Sequence, residues 1–118
     1  MTQRTLKIFL EDILRSIEKI ERYTSGMTQH DFEQNEMAVD AVLRNLEIIG
    51  EASGNIPDYF RDNYPDIPWK RVVGLRNIVI HAYFNVDLDI IWQIITINLP
   101  ELKMNMKPIL DHFENDEK

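Results

Sequence analysis

A stretch of ten residues, 74–83 (GLRNIVIHAY), brings together four side chains that could do chemistry. They are the guanidinium of Arg76, the amide of Asn77, the imidazole of His81 and the phenol of Tyr83. A histidine takes up and returns protons near neutral pH, and an arginine binds a phosphate and stabilises the charge of its transition state. These groups suit cleavage of an RNA phosphodiester, whose 2′-hydroxyl is an internal nucleophile. This chemistry needs no metal, so no metal site is predicted.

The spacing of these groups does not by itself bring Arg76 and His81 together. On a helix, Asn77 and His81 are four residues apart and share one face, whereas Arg76 and Tyr83 share another. Arg76 and His81 are five positions apart, which a straight helix separates by about 140°. They converge if the helix bends, if the arginine reaches around it, or if a second subunit completes the site. The alternative is that both are polar interface residues bonded to carboxylates of neighbouring helices.

The composition limits the kind of protein that this site could serve. The 118 residues are enough for a single domain, 1–118, with one hydrophobic core. Thirteen lysines and arginines against 20 acidic residues give a net charge of −7, so a general nucleic-acid coat is not expected. Residues 61–83 nevertheless carry four basic residues against two acidic ones, which allows a local basic site on an acidic body.

The absence of cysteine excludes disulfide scaffolds, thiolate zinc sites and cysteine nucleophiles. Apolar runs of about three or four residues are far too short to span a membrane. The N-terminal residues are acidic where a signal peptide would need a cleavage site with small side chains. We therefore expect a cytoplasmic protein.

The hydrophobic pattern predicts four amphipathic helices and no strand. The predicted helices span residues 5–23, residues 31–53 with Asp31 as N-cap, residues 68–84, and residues 88 onward after an N-cap at Asp87. Pro100 falls inside the fourth helix and predicts a kink there. Four apolar stripes favour an all-α, antiparallel four-helix bundle with an additional short helix or turn near Pro57. At Gly50, the small residue would let another backbone approach closely.

Other residues have a structural and a functional interpretation. Glu51 could touch the active site, but pairing with an arginine is favoured. Trp69 and Trp92 could stack on bases, yet both fall on apolar stripes, which favours core or dimer contacts. His30 is expected to be exposed.

The pattern Arg76-x4-His81-x-Tyr83, with Asn77 directly after the arginine, resembles the motif of the HepT-like toxins of the HEPN superfamily. The further blocks that carry this likeness are AVLRNLEIIGEA at 41–52, IPW at 67–69, GLRN at 74–77, residues 87–92 and LPEL at 99–102. The likeness covers nearly the whole chain. It implies an all-helical, HEPN-like homodimer with the Arg/His motifs of both subunits in a cleft at the interface.

The resemblance also implies an activity and its control. HepT-like proteins are metal-independent endoribonucleases without a cofactor, and each is the toxin of a type VII-like toxin–antitoxin pair. By this resemblance His81 is the acid and base, Arg76 the phosphate ligand and Asn77 an orienting group. The implied antitoxin is an MntA-like nucleotidyltransferase that transfers AMP to Tyr83, and the bulky anionic adduct would exclude RNA.

In the implied dimer, the basic residues Lys70 and Arg71 of both chains would join Arg76 in one RNA-binding groove. The alternative is a non-catalytic helical module that pairs with a nucleotidyltransferase and uses Arg76 and Tyr83 to present a nucleotide. The acidic balance favours the module, whereas the intact motif argues against it.

Overall fold

The computed structural model describes the backbone of residues 1–84 and 87–116, and the side chains of residues 1–81 and 87–113. The helices are α1 (Gln3–Thr24), α2 (Gln29–Gln34), α3 (Glu36–Gly54), α4 (Asp58–Arg61), α5 (Trp69–Val73), α6 (Leu75–Phe84), α7 (Leu88–Gln93) and α8 (Leu99–Asp116). A π-helical segment, Ile94–Asn98, joins α7 to α8. This described part contains no strand, which confirms the predicted all-α fold. None of its helices is long and apolar enough to cross a membrane.

Helices α1 and α3 form the centre of the molecule. They pack along each other over the largest contact in the fold, and α1 also contacts α8 while α3 contacts α5 and α6. The side chains that this packing buries completely include Leu10, Ile13 and Ile17 of α1 and Val42, Leu46 and Ile49 of α3. Their steps of three and four residues are those of the predicted stripes. Each such side chain contributes about 1.5–3 kcal/mol of burial free energy.

The second predicted helix is in fact two helices, and its predicted N-cap is wrong. Thr28 caps α2: its hydroxyl accepts the N–H of Asp31 at 3.1 Å, and the Asp31 carboxylate accepts the N–H of Thr28 at 3.1 Å. Asn35 then ends α2, and its side chain accepts the N–H of Ala38 at 2.9 Å to begin α3. The apolar pattern conceals the break, because Phe32 and Ala38 on either side are both buried.

The third predicted helix is also divided, at Gly74. The N–H of Gly74 donates to the carbonyl of Lys70 at 3.0 Å, and its own carbonyl accepts the N–H of Asn77 at 3.0 Å. A Cβ at this position would lie 3.2 Å from the carbonyl oxygen of Lys70 and 3.3 Å from that of Arg71, so the junction is tight. This break separates α5, which carries Lys70 and Arg71, from α6, which carries Arg76.

The fourth predicted helix begins where expected. The carboxylate of Asp87 accepts the N–H groups of the second and third residues of α7, at 3.1 and 3.4 Å. A π-helical segment lies directly before Pro100, where the N–H of Leu99 donates to the carbonyl five residues earlier, and the kink at Pro100 stays a prediction. This wider turn alters the hydrogen-bond register next to a residue that has no N–H to donate. The preceding Asn85 lies outside the described residues.

The additional short helix predicted near Pro57 is α4, with Pro57 at its N-cap. Together with the breaks at Asn35 and Gly74, it gives more and shorter helices than the sequence predicts. The antiparallel four-helix arrangement as such therefore stays a prediction.

Candidate active site

Helix α6 turns one continuous face to solvent, and that face carries the candidate catalytic residues. The exposed residues are Arg76, Asn77, Ile80 and His81, which we call the α6 face. Leu75 and Val79 on the opposite side are buried, which holds the helix in this orientation. At about 100° per residue the α6 face spans about 140°, with Arg76 at one edge and His81 at the other.

An isoleucine lies on this polar face. The side chain of Ile80 is 46% exposed, and helical geometry places it between Arg76 and His81. Its exposure is not evident from the hydrophobic pattern, because Ile80 sits within the apolar run of residues 78–80. Ile80 lies only about 40° from Arg76 around the helix axis, and this angle predicts that the two residues share a face.

The start of α6 lies directly against α3 at Gly50. A Cβ on Gly50 would be 2.9 Å from the backbone nitrogen of Arg76, 3.2 Å from its Cβ and 3.3 Å from the carbonyl oxygen of Val73. These distances leave no space for any side chain. The close backbone approach predicted at Gly50 is thus confirmed, and the backbone that it admits is that of Arg76.

The residue after this glycine pairs with the same arginine. Oε2 of Glu51 lies 2.9 Å from Nη1 of Arg76, with the two side chains 55% and 54% exposed. The predicted pairing of Glu51 with an arginine is confirmed. An exposed ion pair contributes only about 0–1 kcal/mol to stability, so the fold does not depend on it. Among the described residues, Nε and Nη2 of Arg76 have no partner.

No hydrogen bond joins Arg76 to His81 within one chain. The α6 helix is uninterrupted from Leu75–Phe84, and Arg76 turns toward Glu51 on α3 rather than along its own helix. Asn77 and His81 make no side-chain hydrogen bond or ion pair with any described residue. The alternative of interface residues bonded to carboxylates therefore fits Arg76 in part, and for His81 no described carboxylate supports it. Tyr83 belongs to α6, and its side chain lies outside the described residues.

The two predicted RNA-binding residues of α5 are exposed, but they line different clefts. Arg71 lines a cleft of about 570 Å³ between α5, α6 and the α7–α8 side of the molecule. Lys70 lines a second cleft of about 470 Å³, next to Arg61. Neither cleft is lined by Arg76 or His81. Within the described residues, Lys70, Arg71 and Arg76 therefore share neither of these clefts, and the RNA-binding role of Lys70 and Arg71 stays a prediction.

Both tryptophans are structural, as the apolar stripes predicted. Trp69 is buried, and its indole N–H donates to the carbonyl of Tyr64 at 3.0 Å. Trp92 is half-buried, with its ring centroid 5.5 Å from that of Phe32. His30 is exposed, as expected.

The described residues offer no obvious metal centre. In residues 1–81 and 87–113 no three histidine, aspartate or glutamate side chains lie close enough together to hold an ion.

Comparison with known proteins places this chain in a family. The model of the family described as "Ribonuclease HepT-like" matches residues 13–109. "Putative RNase MJ1380" of Methanocaldococcus jannaschii is 43% identical over 107 residues, which are 91% of this chain and 98% of that protein. "Probable ribonuclease HepT" of Thermococcus cleftensis is 44% identical over 101 residues, 86% of this chain and 92% of that protein.

A third relative is longer than this chain. "Gamma-glutamylcyclotransferase and putative RNase MJ0434" of Methanocaldococcus jannaschii is 41% identical over 114 residues, 97% of this chain. The chain spans about half the length of that relative, 51%. No solved structure matches the chain.

Proposed function

The chain belongs to the HepT-like ribonuclease family, and from this premise we propose that it is a metal-independent endoribonuclease with Arg76 and His81 as its catalytic residues. The observation that carries the proposal is the α6 face. It carries the guanidinium of Arg76 at one edge and the imidazole of His81 at the other, and no described residue bonds Nε or Nη2 of Arg76 or the side chain of His81. These are the groups that phosphodiester transesterification requires.

In the proposed reaction, Arg76 binds the scissile phosphate through Nε and Nη2, in the bidentate geometry that arginine favours. The 2′-oxygen attacks phosphorus while a base removes its proton, and the bond to the 5′-oxygen breaks as an acid protonates that oxygen. The products are a 2′,3′-cyclic phosphate and a 5′-hydroxyl. A neutral His81 acts as the base and a protonated His81 as the acid.

We propose a homodimer as the active form, because the α6 face of one chain carries a single histidine, His81, for two proton transfers. Arg76 and His81 occupy opposite edges of the α6 face, and Ile80 between them is an apolar contact that a second α6 face could cover. In such a dimer one His81 acts as base and the second subunit's His81 as acid. The pairing also brings Lys70 and Arg71 of two chains toward the RNA.

The proposed biological role is that of a cytoplasmic toxin controlled by an MntA-like nucleotidyltransferase antitoxin. The support is the position of Tyr83, two residues after His81 on the same helix. Transfer of AMP to its phenol adds volume and negative charge to the helix that carries the phosphate ligand, and this charge repels the RNA backbone. Asn77, which is exposed between the two catalytic residues, orients the substrate or His81 in this proposal.

The experiment is cleavage of total and transfer RNA by the purified protein in EDTA, after an intact mass has shown that Tyr83 is unmodified. We expect the wild-type protein to leave 2′,3′-cyclic phosphate ends. His81→Ala should be inactive, and His30→Ala, which alters another exposed histidine, should be active. Failure of the unmodified wild-type protein to cleave either RNA pool would contradict the proposal. That result would favour the non-catalytic helical module, which the net charge of −7 also favours.

A further inference from the structure

We propose that Glu51 is a positioning residue, which holds the Nη1 side of Arg76 so that Nε and Nη2 present a fixed edge to the RNA phosphate. The inference rests on the proposed function, since it assigns a role in the same reaction. It adds a residue from α3, outside the motif on α6. Glu51 itself needs no contact with the substrate.

The geometry between α3 and α6 is the first argument. Gly50 and the Arg76 backbone are in contact so close that no side chain fits between them. Glu51, the next residue on α3, therefore starts from a position set by backbone packing. Its Oε2 reaches Nη1 of Arg76 at 2.9 Å. The pair is thus anchored at both Cα atoms, unlike an ion pair between two side chains on separate, loosely packed surfaces.

The pattern of contacts on the guanidinium is the second argument. Arginine has five N–H donors in a planar fork, and a phosphate is bound best by two parallel N–H groups. Glu51 occupies Nη1 only, and no described residue bonds Nε or Nη2. One contact therefore restricts the rotation of the guanidinium while its other edge is open. An arginine without that contact samples many more rotamers.

The stability of the pair is the third argument. Both side chains are more than half exposed, so the ion pair is screened and adds little to folding. The close approach of the Gly50 and Arg76 backbones sets the position of the Glu51–Arg76 ion pair. A contribution to stability does not explain this fixed position. Orientation of a phosphate ligand does, because misplacement of a catalytic group by about 1 Å lowers rates by up to about 100-fold.

Two other roles for Glu51 are chemically possible and predict different kinetics. If the carboxylate shielded Arg76 from RNA, removal of its charge would lower KM and leave kcat unchanged. If it transferred a proton, Glu51→Gln would be as damaging as Glu51→Ala and would remove the acidic limb of the pH profile of kcat. A positioning residue predicts neither result, because the amide oxygen of glutamine still accepts a hydrogen bond from Nη1.

The test compares Glu51→Ala, Glu51→Gln and the control Glu47→Ala, an exposed glutamate one turn earlier on α3 that has no partner among the described residues. We expect Glu51→Ala to lower kcat about tenfold without lowering KM. Glu51→Gln should retain most of kcat with an unchanged pH profile, and Glu47→Ala should match wild type. In an Arg76→Lys background, Glu51→Ala should have less than a twofold further effect.

Three results would overturn the positioning role: a wild-type kcat in Glu51→Ala, a lowered KM in both Glu51 variants, or a Glu51→Gln defect equal to that of Glu51→Ala. Absence of cleavage by the wild-type protein would instead overturn the proposed function. In that case, ¹⁵N NMR of the arginine guanidinium groups decides the inference. Rotation about the Cζ–Nη1 bond of Arg76 should be slow in wild type and Glu51→Gln and fast in Glu51→Ala, and equal rates would refute it.

Discussion

Gly50 of α3 and Arg76 of α6 meet backbone to backbone, with a Cβ on residue 50 only 2.9 Å from the nitrogen of residue 76. The contact brings the candidate phosphate ligand to the surface of α3 and places Glu51 beside its guanidinium. The position of Arg76 therefore depends on a glycine 26 residues earlier in the chain.

Gly50→Ala should destabilise the protein and impair the site at the same time. Alanine favours a helix over glycine by about 1 kcal/mol, but here its methyl group would push α6 away from α3, which we expect to cost about 1–3 kcal/mol. Chemical denaturation measures the loss of unfolding free energy, and RNA cleavage should fall as well. Gly54→Ala is the matched control, because its Cβ would meet only Cγ1 of Val73, at an ordinary 3.8 Å. Equal stabilities for the two variants would show that the contact tolerates a side chain.

Arg76→Ala should abolish RNA cleavage with the helical content unchanged, since the side chain is 54% exposed and supports no packing. The logarithm of the RNA association constant falls linearly with the logarithm of the salt concentration. Loss of one phosphate contact should make this slope less steep by about 0.7 for single-stranded RNA. Binding of a 2′-O-methyl RNA, which cannot be cleaved, measures that slope. Arg44→Ala changes another exposed arginine and should leave cleavage and slope as in wild type. Normal cleavage by Arg76→Ala would remove this residue from the mechanism.

Ile80→Asp should convert the proposed dimer into a monomer and inactivate it. The variant adds two charges to the proposed interface, one from each subunit, in place of an apolar contact. Light scattering after size-exclusion chromatography measures the mass. Ile8→Asp is the control, because Ile8 on α1 is equally exposed, 49% against 46% for Ile80. A dimeric Ile80→Asp would show that the α6 face is not the interface.

Tyr83→Phe should be toxic in cells and resistant to neutralisation by a co-expressed nucleotidyltransferase antitoxin. Phenylalanine lacks the phenol oxygen that accepts AMP, so intact mass spectrometry should find no adduct on the variant. Tyr59→Phe alters a tyrosine that is 59% exposed on α4 and should be modified like wild type. An AMP adduct on Tyr83→Phe would move the acceptor to another residue.

Acid should weaken the capping box of α2. The backbone N–H of Thr28, and secondly its hydroxyl, hydrogen-bond the Asp31 carboxylate and lower its pKa below the ordinary range. Because the pKa of Asp31 is lower in the folded than in the unfolded state, the ionised carboxylate stabilises the folded protein above about pH 4. This stabilisation is lost as the pH falls through the folded-state pKa. Thermal melts should therefore show a lower Tm for Asp31→Ala at pH 7 and a shrinking difference from wild type in acid.

Some features could have been predicted locally but were not. Thr28 and Asp31 have the spacing of a capping box, and Asn35 is a good N-cap residue, yet the continuous apolar pattern concealed both. Gly74 falls in the middle of the third predicted helix. In the structure it lies between two helices, α5 and α6. These breaks depend on hydrogen bonds between residues three or four apart, and hydrophobic periodicity does not report them.

Residue types and their spacing along the chain are sufficient to predict the all-α class, the buried stripes of α1 and α3, and the membership in a ribonuclease family. The three-dimensional packing is needed to show that Glu51 pairs with Arg76, that Gly50 contacts the same residue, and that Ile80 is exposed between Arg76 and His81. Helical spacing specifies which residues share a face. Which face meets another helix depends on packing between segments far apart in the chain, and the spacing within either segment does not contain that information.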